Sequence, residues 1–354
     1  MALRAITTVY SYRMPEVRRA IDKALRDGFP HGILMGSTNP PGGLDAFHRP
    51  LIEDVRRFFS ADVPALADFK HAYPTPGSEE GIREVMTLLQ SRGVTQIYVL
   101  KGEYEGYRFV GETRNLQTIE VDPETYPRSL ERGYWFISNP SARDGNIIPD
   151  ETINRICEAG HKVFYDLAYL GSTPFHVFDV SHPNIEFIVM SMSKTFGMFY
   201  DRVGFALSRE PIPSLVGNKW FKNVLSHILA RAVLQEIQPG QLHRKYGAIQ
   251  QEIIAAINAE HGLNMKPSDA FLLGLIDAEA AKQLGLEQLA MVERFKRGDA
   301  YRFCLTPEFF RLDPERIALF AEWDTYVSAQ RDILTPQQWV EIESLRQELL
   351  VKGE

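Results

Sequence analysis

The chain has 354 residues, more than one average domain, so the length favours two domains or one large domain with an appendage. Hydrophobic residues make up 44% and charged residues 24%, which sets aside the disordered and fibrous classes. A formal net charge of -7, with no dense Lys/Arg cluster, argues against a nucleic-acid binder and directs attention to a small-molecule or protein partner.

The first residues, "MALRAITTVYSYRMPEVRRAIDKAL", contain no continuous apolar core of a signal peptide, and no run approaches the ~18 apolar residues that would span a bilayer. The expected compartment is the cytosol. A Gly/Pro-rich stretch, "GSTNPPGG", follows, and then "GIREVMTLLQSRG" has helical spacing at Ile82, Val85, Met86 and Leu89 and stops at a glycine. "TQIYVLKG", "LQTIEVD", "GYWFISNP", "HKVFYDLAY" and "IEFIVMSMS" read as short buried strands, with the helical "DETINRICEAG" between the third and fourth. Strands alternating with helices predict a doubly wound, largely parallel α/β sheet, whose ligand crevice lies beyond the carboxyl ends of its strands. Past about residue 215 the pattern becomes helical in "SHILARAVLQEIQ" and "RKYGAIQQEIIAAINAEHG", read as a long linking helix. It then mixes the strands "DAFLLGLI" and "AYRFCLTP" with the helices "LDPERIALFAEWDTYVSAQ" and "PQQWVEIESLRQELLVKG", a smaller α+β part. The expected division is a large domain over 45–240 and a small one built from 1–44 and 241–354.

Cys157 and Cys304 are far apart and outside any CxxC pattern, and the nine histidines form no HxxxH or HxH pair. Neither a disulfide framework nor a metal site is expected, and both cysteines read as reduced core residues.

The chemistry gathers at predicted strand ends. "VFYDLAY" ends in Asp166 and, three residues on, Tyr169; taken alone, the aspartate is equally an N-cap at a strand-to-helix turn. "IEFIVMSMSKTFGMFYDRVGF" runs from a buried strand into Ser191 and Lys194, with Arg202 eight residues past the lysine. A lysine just beyond a buried strand is either snorkelling to the surface or a desolvated, nucleophilic amine. Its neighbours favour the amine. Ser191 offers a hydroxyl, Arg202 a forked cation, and "TPGSEEGI" a Gly-Ser turn opening a helix, whose free N–H groups seat an anion. Glu79 and Glu80 in that turn suit the helix dipole but must turn away from a phosphate. Neither GxxxxGK[ST] nor GxGxxG is present, so the phosphate belongs to something other than ATP or NAD. Amine, carboxylate, phenol and phosphate seat together fit pyridoxal 5'-phosphate.

"SMSKTFGMFYDRVGF" resembles the SxSK-x-xG-xxxx-R-x-G signature of the class I/II aminotransferases of fold type I. "DLAY" resembles their D-x-x-Y, "TPGSEEGI" their first phosphate turn, "KGEYEGYRF" their P-x-Y-x-x-Y segment, and "AYRFCLTP" the late strand whose arginine binds the substrate carboxylate. The resemblance implies a fold type I large domain plus a smaller α+β domain, and Lys194 as Schiff-base lysine and proton shuttle. It implies Asp166 on the ring nitrogen, Tyr169 on the ring hydroxyl, and Tyr104 stacked on the ring. Gly77, Ser78, Glu79, Ser191 and Arg202 fall in the phosphate-binding segments, and Arg302 would clamp the substrate α-carboxylate. The activity implied is transamination of an α-amino acid, through a Lys194 aldimine and a pyridoxamine form, in a homodimer.

Two segments depart from the family. Where it carries "NPxNPTG", this chain has "SNPSARDGNIIP", so Ala142 takes the place of the asparagine that binds the ring hydroxyl; Asn139 would substitute if the loop were shifted. Arg143 is either a solvated loop charge or a substrate contact at the rim. "MGSTNPPGGLDAFHRPL" matches no subfamily pattern, and Glu103, Glu105 and Tyr107 are either a solvated turn or a rim suited to a basic substrate. The altered loop keeps open a lyase, cyclase or oxidative deaminase of the same fold. A catalytically silent sensor is disfavoured, because those regulators carry an N-terminal helix-turn-helix domain for which there is no room ahead of the cofactor motifs.

Overall fold

The computed structural model describes residues 3–9, 12–27, 45–122, 125 and 127–350. Residues Met1–Thr306 form one compact unit and Pro307–Glu354 a second. Apart from short helical turns, the first unit runs α1 (Pro15–Arg26), α2 (Asp45–Phe58), β1 (His71–Thr75), α3 (Ser78–Ser91), β2 (Gln96–Leu100), α4 (Glu105–Thr113), β3 (Gln117–Val121), β4 (Tyr134–Ser138) and α5 (Asp150–Glu158). It continues through β5 (Lys162–Leu167), β6 (Ile185–Ser191), β7 (Gly204–Ser208), α6 (Val224–Glu236), α7 (Gln241–His261), β8 (Lys266–Pro267), β9 (Leu273–Ile276), β10 (Lys296–Arg297) and β11 (Ala300–Cys304).

β1 to β7 form a seven-stranded sheet in the order β1-β7-β6-β5-β4-β2-β3. β3, β2, β4, β5 and β6 are parallel, and β7 is antiparallel to both β6 and β1. The predicted parallel α/β sheet is therefore present, with its central strands β4, β5 and β6 buried nearly throughout, as expected where helices cover a parallel sheet. The stripe on α3 behaves as its spacing predicts: Ile82, Val85, Met86 and Leu89 are all fully buried against Val189 of β6 and Ala206 of β7. Gly81 lets that helix lie close, since a Cβ there would stand 2.6 Å from Val189 Cγ1.

Register brings the strand ends level. Ser138 of β4 pairs with Asp166 of β5, Leu167 with Met190 of β6, and both Ser191 of β6 and Thr75 of β1 pair with Gly204 of β7. The carboxyl ends of β1, β4, β5 and β6 thus open onto one crevice. A second, antiparallel sheet of four strands runs β10-β11-β9-β8 and carries Arg302 on β11, opposite Leu275. Ile6 adds a bridge to Cys304 at its margin.

The expected long linking helix is two helices. The chain leaves α6 at Ile237 in extended backbone, and Gly240 caps α7 with φ 69, a left-handed conformation at which a helix cannot continue. Much of the expected N-terminal segment, 1–2, 10–11 and 28–44 with "GSTNPPGG", lies outside the described residues. The second unit holds α8 (Arg316–Ala329) and α9 (Pro336–Leu350), tied by Arg346 Nε to Asp324 Oδ1 at 2.5 Å, with the Arg346 guanidinium 4.7 Å over the Trp339 ring.

Candidate active site at the strand ends

A cavity of about 260 Å³ lies over the strand ends, and Lys194, Asp166, Tyr169, Ser191, Arg202 and Arg302 all line it. Ser78, Glu79 and Tyr104 complete that wall from α3 and from the turn before α4. A larger cavity of about 410 Å³ between α2 and β1 contains none of these groups.

Lys194 stands three residues past the end of β6, where its Nζ donates to Val9 O at 2.5 Å and sits 5.8 Å from the Tyr169 ring centroid. Burial pulls its ammonium down to about 8; the cations of Arg302 and Arg202 act in the same direction and Asp166 opposes them. Asp166 is the penultimate residue of β5 and is buried. Its Oδ2 accepts from Tyr107 Oη at 2.9 Å and its Oδ1 from Ala168 N at 2.9 Å. Burial lifts the carboxyl to about 6, while those two hydrogen bonds and Lys194 hold it back. Tyr169 is buried, which pushes its phenol up to about 12 and keeps it a donor at neutral pH.

The turn ahead of α3 is shaped by its backbone. Gly77 caps α3 with φ 77, and a Cβ at that position would stand 2.4 Å from Arg202 Nη2, so only glycine admits the guanidinium. Gly204 is held as tightly, its would-be Cβ lying 2.4 Å from Gly77 C. Arg202 itself has φ 53, a strained conformation for a side-chain-bearing residue, and donates to Pro76 O at 3.0 Å and Phe199 O at 3.2 Å. The N-terminus of α3, the Ser191 hydroxyl and Arg202 therefore face one place, a fit for a phosphate dianion. Tyr104 lies across Gly106, edge-on to Tyr107 at 5.4 Å, and its phenol donates to Glu79 Oε2 at 3.3 Å. Glu79 also accepts from Arg83 Nε at 3.4 Å while lining the cavity.

Arg302 is buried; its Nη2 donates to Thr7 O at 3.0 Å, its Nη1 to Ala142 O, and its Nε has no hydrogen-bond partner among the described residues. Ser193 Oγ, buried beside Lys194, is likewise without one. Buried donors left unsatisfied in a cavity are what a site for a polar ligand presents.

Asn139 does not reach the cavity. Its amide nitrogen donates to Tyr165 Oη at 2.7 Å and Ile148 O at 3.0 Å, and its oxygen accepts from Ile148 N at 2.9 Å, so the side chain is consumed in folding its own loop. Ala142 lines the cavity instead, with no side-chain donor to offer. Arg143 turns onto its neighbour, Nε and Nη2 reaching Asp144 Oδ2 at 3.0 and 2.7 Å. Of the three residues placed at the rim, only Glu105 is there, joined to Arg297 by bonds of 2.5 and 2.9 Å; both line the cavity. Glu103 and Tyr107 are buried, Tyr107 completely. Tyr107, a rim candidate by sequence, donates to Asp166 instead, a role that no motif in the chain signals; three positions after Tyr104, it falls on the same side of α4's first turn.

The family described as aminotransferase class I and II is matched over residues 48–296. A curated relative, the histidinol-phosphate aminotransferase of Caldanaerobacter subterraneus subsp. tengcongensis, is 27% identical over 222 residues, 57% of this chain and 62% of that protein. The match therefore spans less than two thirds of the relative's length. Among solved structures, histidinol-phosphate aminotransferase from Sinorhizobium meliloti in complex with pyridoxal 5'-phosphate superposes with TM-score 0.59 at 16% identity, covering 84% of this chain and 85% of that one. L-threonine-O-3-phosphate decarboxylase from Porphyromonas gingivalis gives TM-score 0.61 at 16% identity, covering 92% and 99%. At such identities these two show a shared fold. The chain belongs to the aminotransferase class I and II family and shares the fold of the pyridoxal 5'-phosphate-bound Sinorhizobium protein. Its strand-end residues fit that cofactor: an amine of lowered pKa, a buried carboxyl, a buried phenol and a glycine-gated anion seat around one cavity.

Proposed function

We propose that the chain is an aminotransferase acting on an α-amino acid. The observation that carries this reading is the meeting of Lys194, Asp166, Tyr169 and Arg202 around one cavity, with Arg302 supplied to the same cavity from the second sheet. The cofactor, when bound, supplies an aldehyde for exchange with amines and an electron sink for the Cα carbanion. Lys194 Nζ takes the Cα proton and returns it, a task suited to an amine whose pKa of about 8 leaves a sizeable neutral fraction near pH 7. Asp166 holds a proton on the ring nitrogen, and Tyr169 donates to the ring hydroxyl. Gly77, Ser78 and Glu79, at the start of α3, supply N–H groups to the phosphate together with Ser191 and Arg202, and Tyr104 covers the ring face. Arg302 binds the substrate carboxylate through its planar fork. Lys194→Ala is expected to lower turnover by about 10²–10⁴-fold or more while leaving the fold intact. Turnover by that variant within threefold of wild type, measured alongside far-UV circular dichroism, would refute the assignment of the amine.

A second reading, a lyase, cyclase or oxidative deaminase on the same fold, is favoured by one observation, the alanine wall at Ala142. Single-turnover reaction with an amino donor separates the two. Transamination bleaches the cofactor's visible band and releases one equivalent of keto acid, whereas the alternatives regenerate the band with the substrate consumed.

The proposed assembly is a homodimer in the cytosol, with small amino and keto acids as partners. Tyr200, 84% exposed in the segment carrying Lys194 and Arg202, and the buried free thiols of Cys157 and Cys304 support these two points. No described helix is long and apolar enough to cross a membrane. We keep 45–240 as the proposed cofactor-binding domain, with 1–44 and 241–354 as the smaller one.

A further inference from the structure

Glu103 sits in the turn between β2 and α4, only 7% exposed. Both of its carboxylate oxygens accept from hydroxyls at the end of β4 and in the following loop: Ser138 Oγ donates to Oε2, and Ser141 Oγ to Oε1 at 2.7 Å. Each hydroxyl also accepts from the loop backbone, Ala142 N reaching Ser138 Oγ at 2.7 Å and Arg143 N reaching Ser141 Oγ at 3.1 Å. The Ala142 carbonyl then accepts from Arg302 Nη1. An unbroken line thus runs from a buried carboxyl, through Ser138 and Ala142, to the arginine at the cavity wall. Glu103 itself does not line the cavity.

We propose that Glu103 is a positioning residue for Arg302, acting through Ser138 and Ala142 to set the orientation of the guanidinium toward the substrate carboxylate. The inference rests on reading Arg302 as the carboxylate clamp. Ionised, the carboxylate accepts from both hydroxyls as a charge, and a hydroxyl that donates to a charge is polarised into a stronger acceptor for the backbone N–H behind it. Protonation of Glu103, or its replacement by an amide, removes that charge: Ser138 can still accept from both partners, but its hold on the Ala142 N–H weakens, and with it the loop whose Ala142 carbonyl takes Arg302 Nη1.

Burial pushes the Glu103 carboxyl up to about 7; the Asp144 carboxylate adds to this, while Ser138, Ser141 and the Tyr104 backbone oppose it. Tyr107 and Tyr169 also feel its charge, and both phenols are themselves shifted above the neutral range. The line from Glu103 to Arg302 is therefore charge-assisted above about pH 7 and weaker below it.

The test compares pyridoxal phosphate-loaded wild type and Glu103→Gln, with L-glutamate as the carboxylate probe, reading affinity from the cofactor's absorbance between pH 6 and 8.5. Wild type should bind more tightly as pH rises through about 7. The variant should lose that step and bind roughly tenfold more weakly at pH 8, the scale of one charge-assisted hydrogen bond. Thermal melts give an independent reading. A carboxyl whose folded pKa is raised from 4.5 to about 7 contributes stability below pH 4.5 that is lost as pH rises through 7. The melting temperature of Glu103→Gln relative to wild type should accordingly climb between pH 5 and pH 8. If Glu103→Gln does not fold, Ser138→Ala breaks the same line and must show the same loss of the pH step. A variant that takes up the cofactor yet keeps the wild-type glutamate profile overturns the proposal. Wild type that takes up the cofactor but does not saturate with glutamate overturns the carboxylate-clamp reading, and the inference with it.

Discussion

An amine three residues beyond a buried strand is costly as a cation, and at Lys194 the cost appears as a lowered pKa rather than as an ion pair. The rate at which apoprotein captures the cofactor aldehyde should rise with pH and level off near 8, as followed by stopped-flow absorbance. With an ordinary, solvated lysine the rate would keep rising toward pH 10.5. Asp166 adds a lower limit, because its carboxyl is ionised above about 6. Tyr107 should move that limit. Its phenol donates to the carboxylate, which lowers the Asp166 pKa, so Tyr107→Phe raises it. The expected result is an acid limb of the cofactor-affinity profile displaced to higher pH, with affinity at neutral pH reduced by roughly 1.5–3 kcal/mol at most. An acid limb identical to wild type would show that the bond does not tune the carboxyl.

At the level of elements, the site is made by strands that end together and by the helix that starts beside them. The stripe on α3 and the parallel strands were legible in sequence because each carries its own period and its own stop. β1 and β7 were not. β1 carries Pro74, which sequence rules exclude from central strands and tolerate at a sheet edge, and β1 is the edge. β7 opens with Gly204, whose missing side chain makes room for the Gly77 turn, a reason visible only once the two are adjacent. Gly77→Ala tests this packing. The positive φ costs about 1–2 kcal/mol on its own, and the methyl displaces Arg202. Weaker binding of inorganic phosphate and of the cofactor is expected, together with a lowered melting temperature; a variant unchanged in both would remove the glycine gate.

Across the whole molecule, the proposed dimer predicts a light-scattering mass of twice the chain's 40.3 kDa. A fully active monomer would contradict it. The sequence by itself determined the sheet class and the residue types at the strand ends, because alternation of short strands with helices and a lysine, aspartate and arginine at fixed spacings are local properties of the chain. Which of the remaining polar residues serve the site was decided by tertiary structure. Asn139 looked available and is spent on its own loop; Glu103 and Tyr107 looked like rim residues and lie beneath the cavity floor, one bound to two serines and the other to Asp166. Their side-chain partners Tyr165, Ser138, Ser141 and Asp166 lie 26 to 59 residues away along the chain, and no local pattern specifies them.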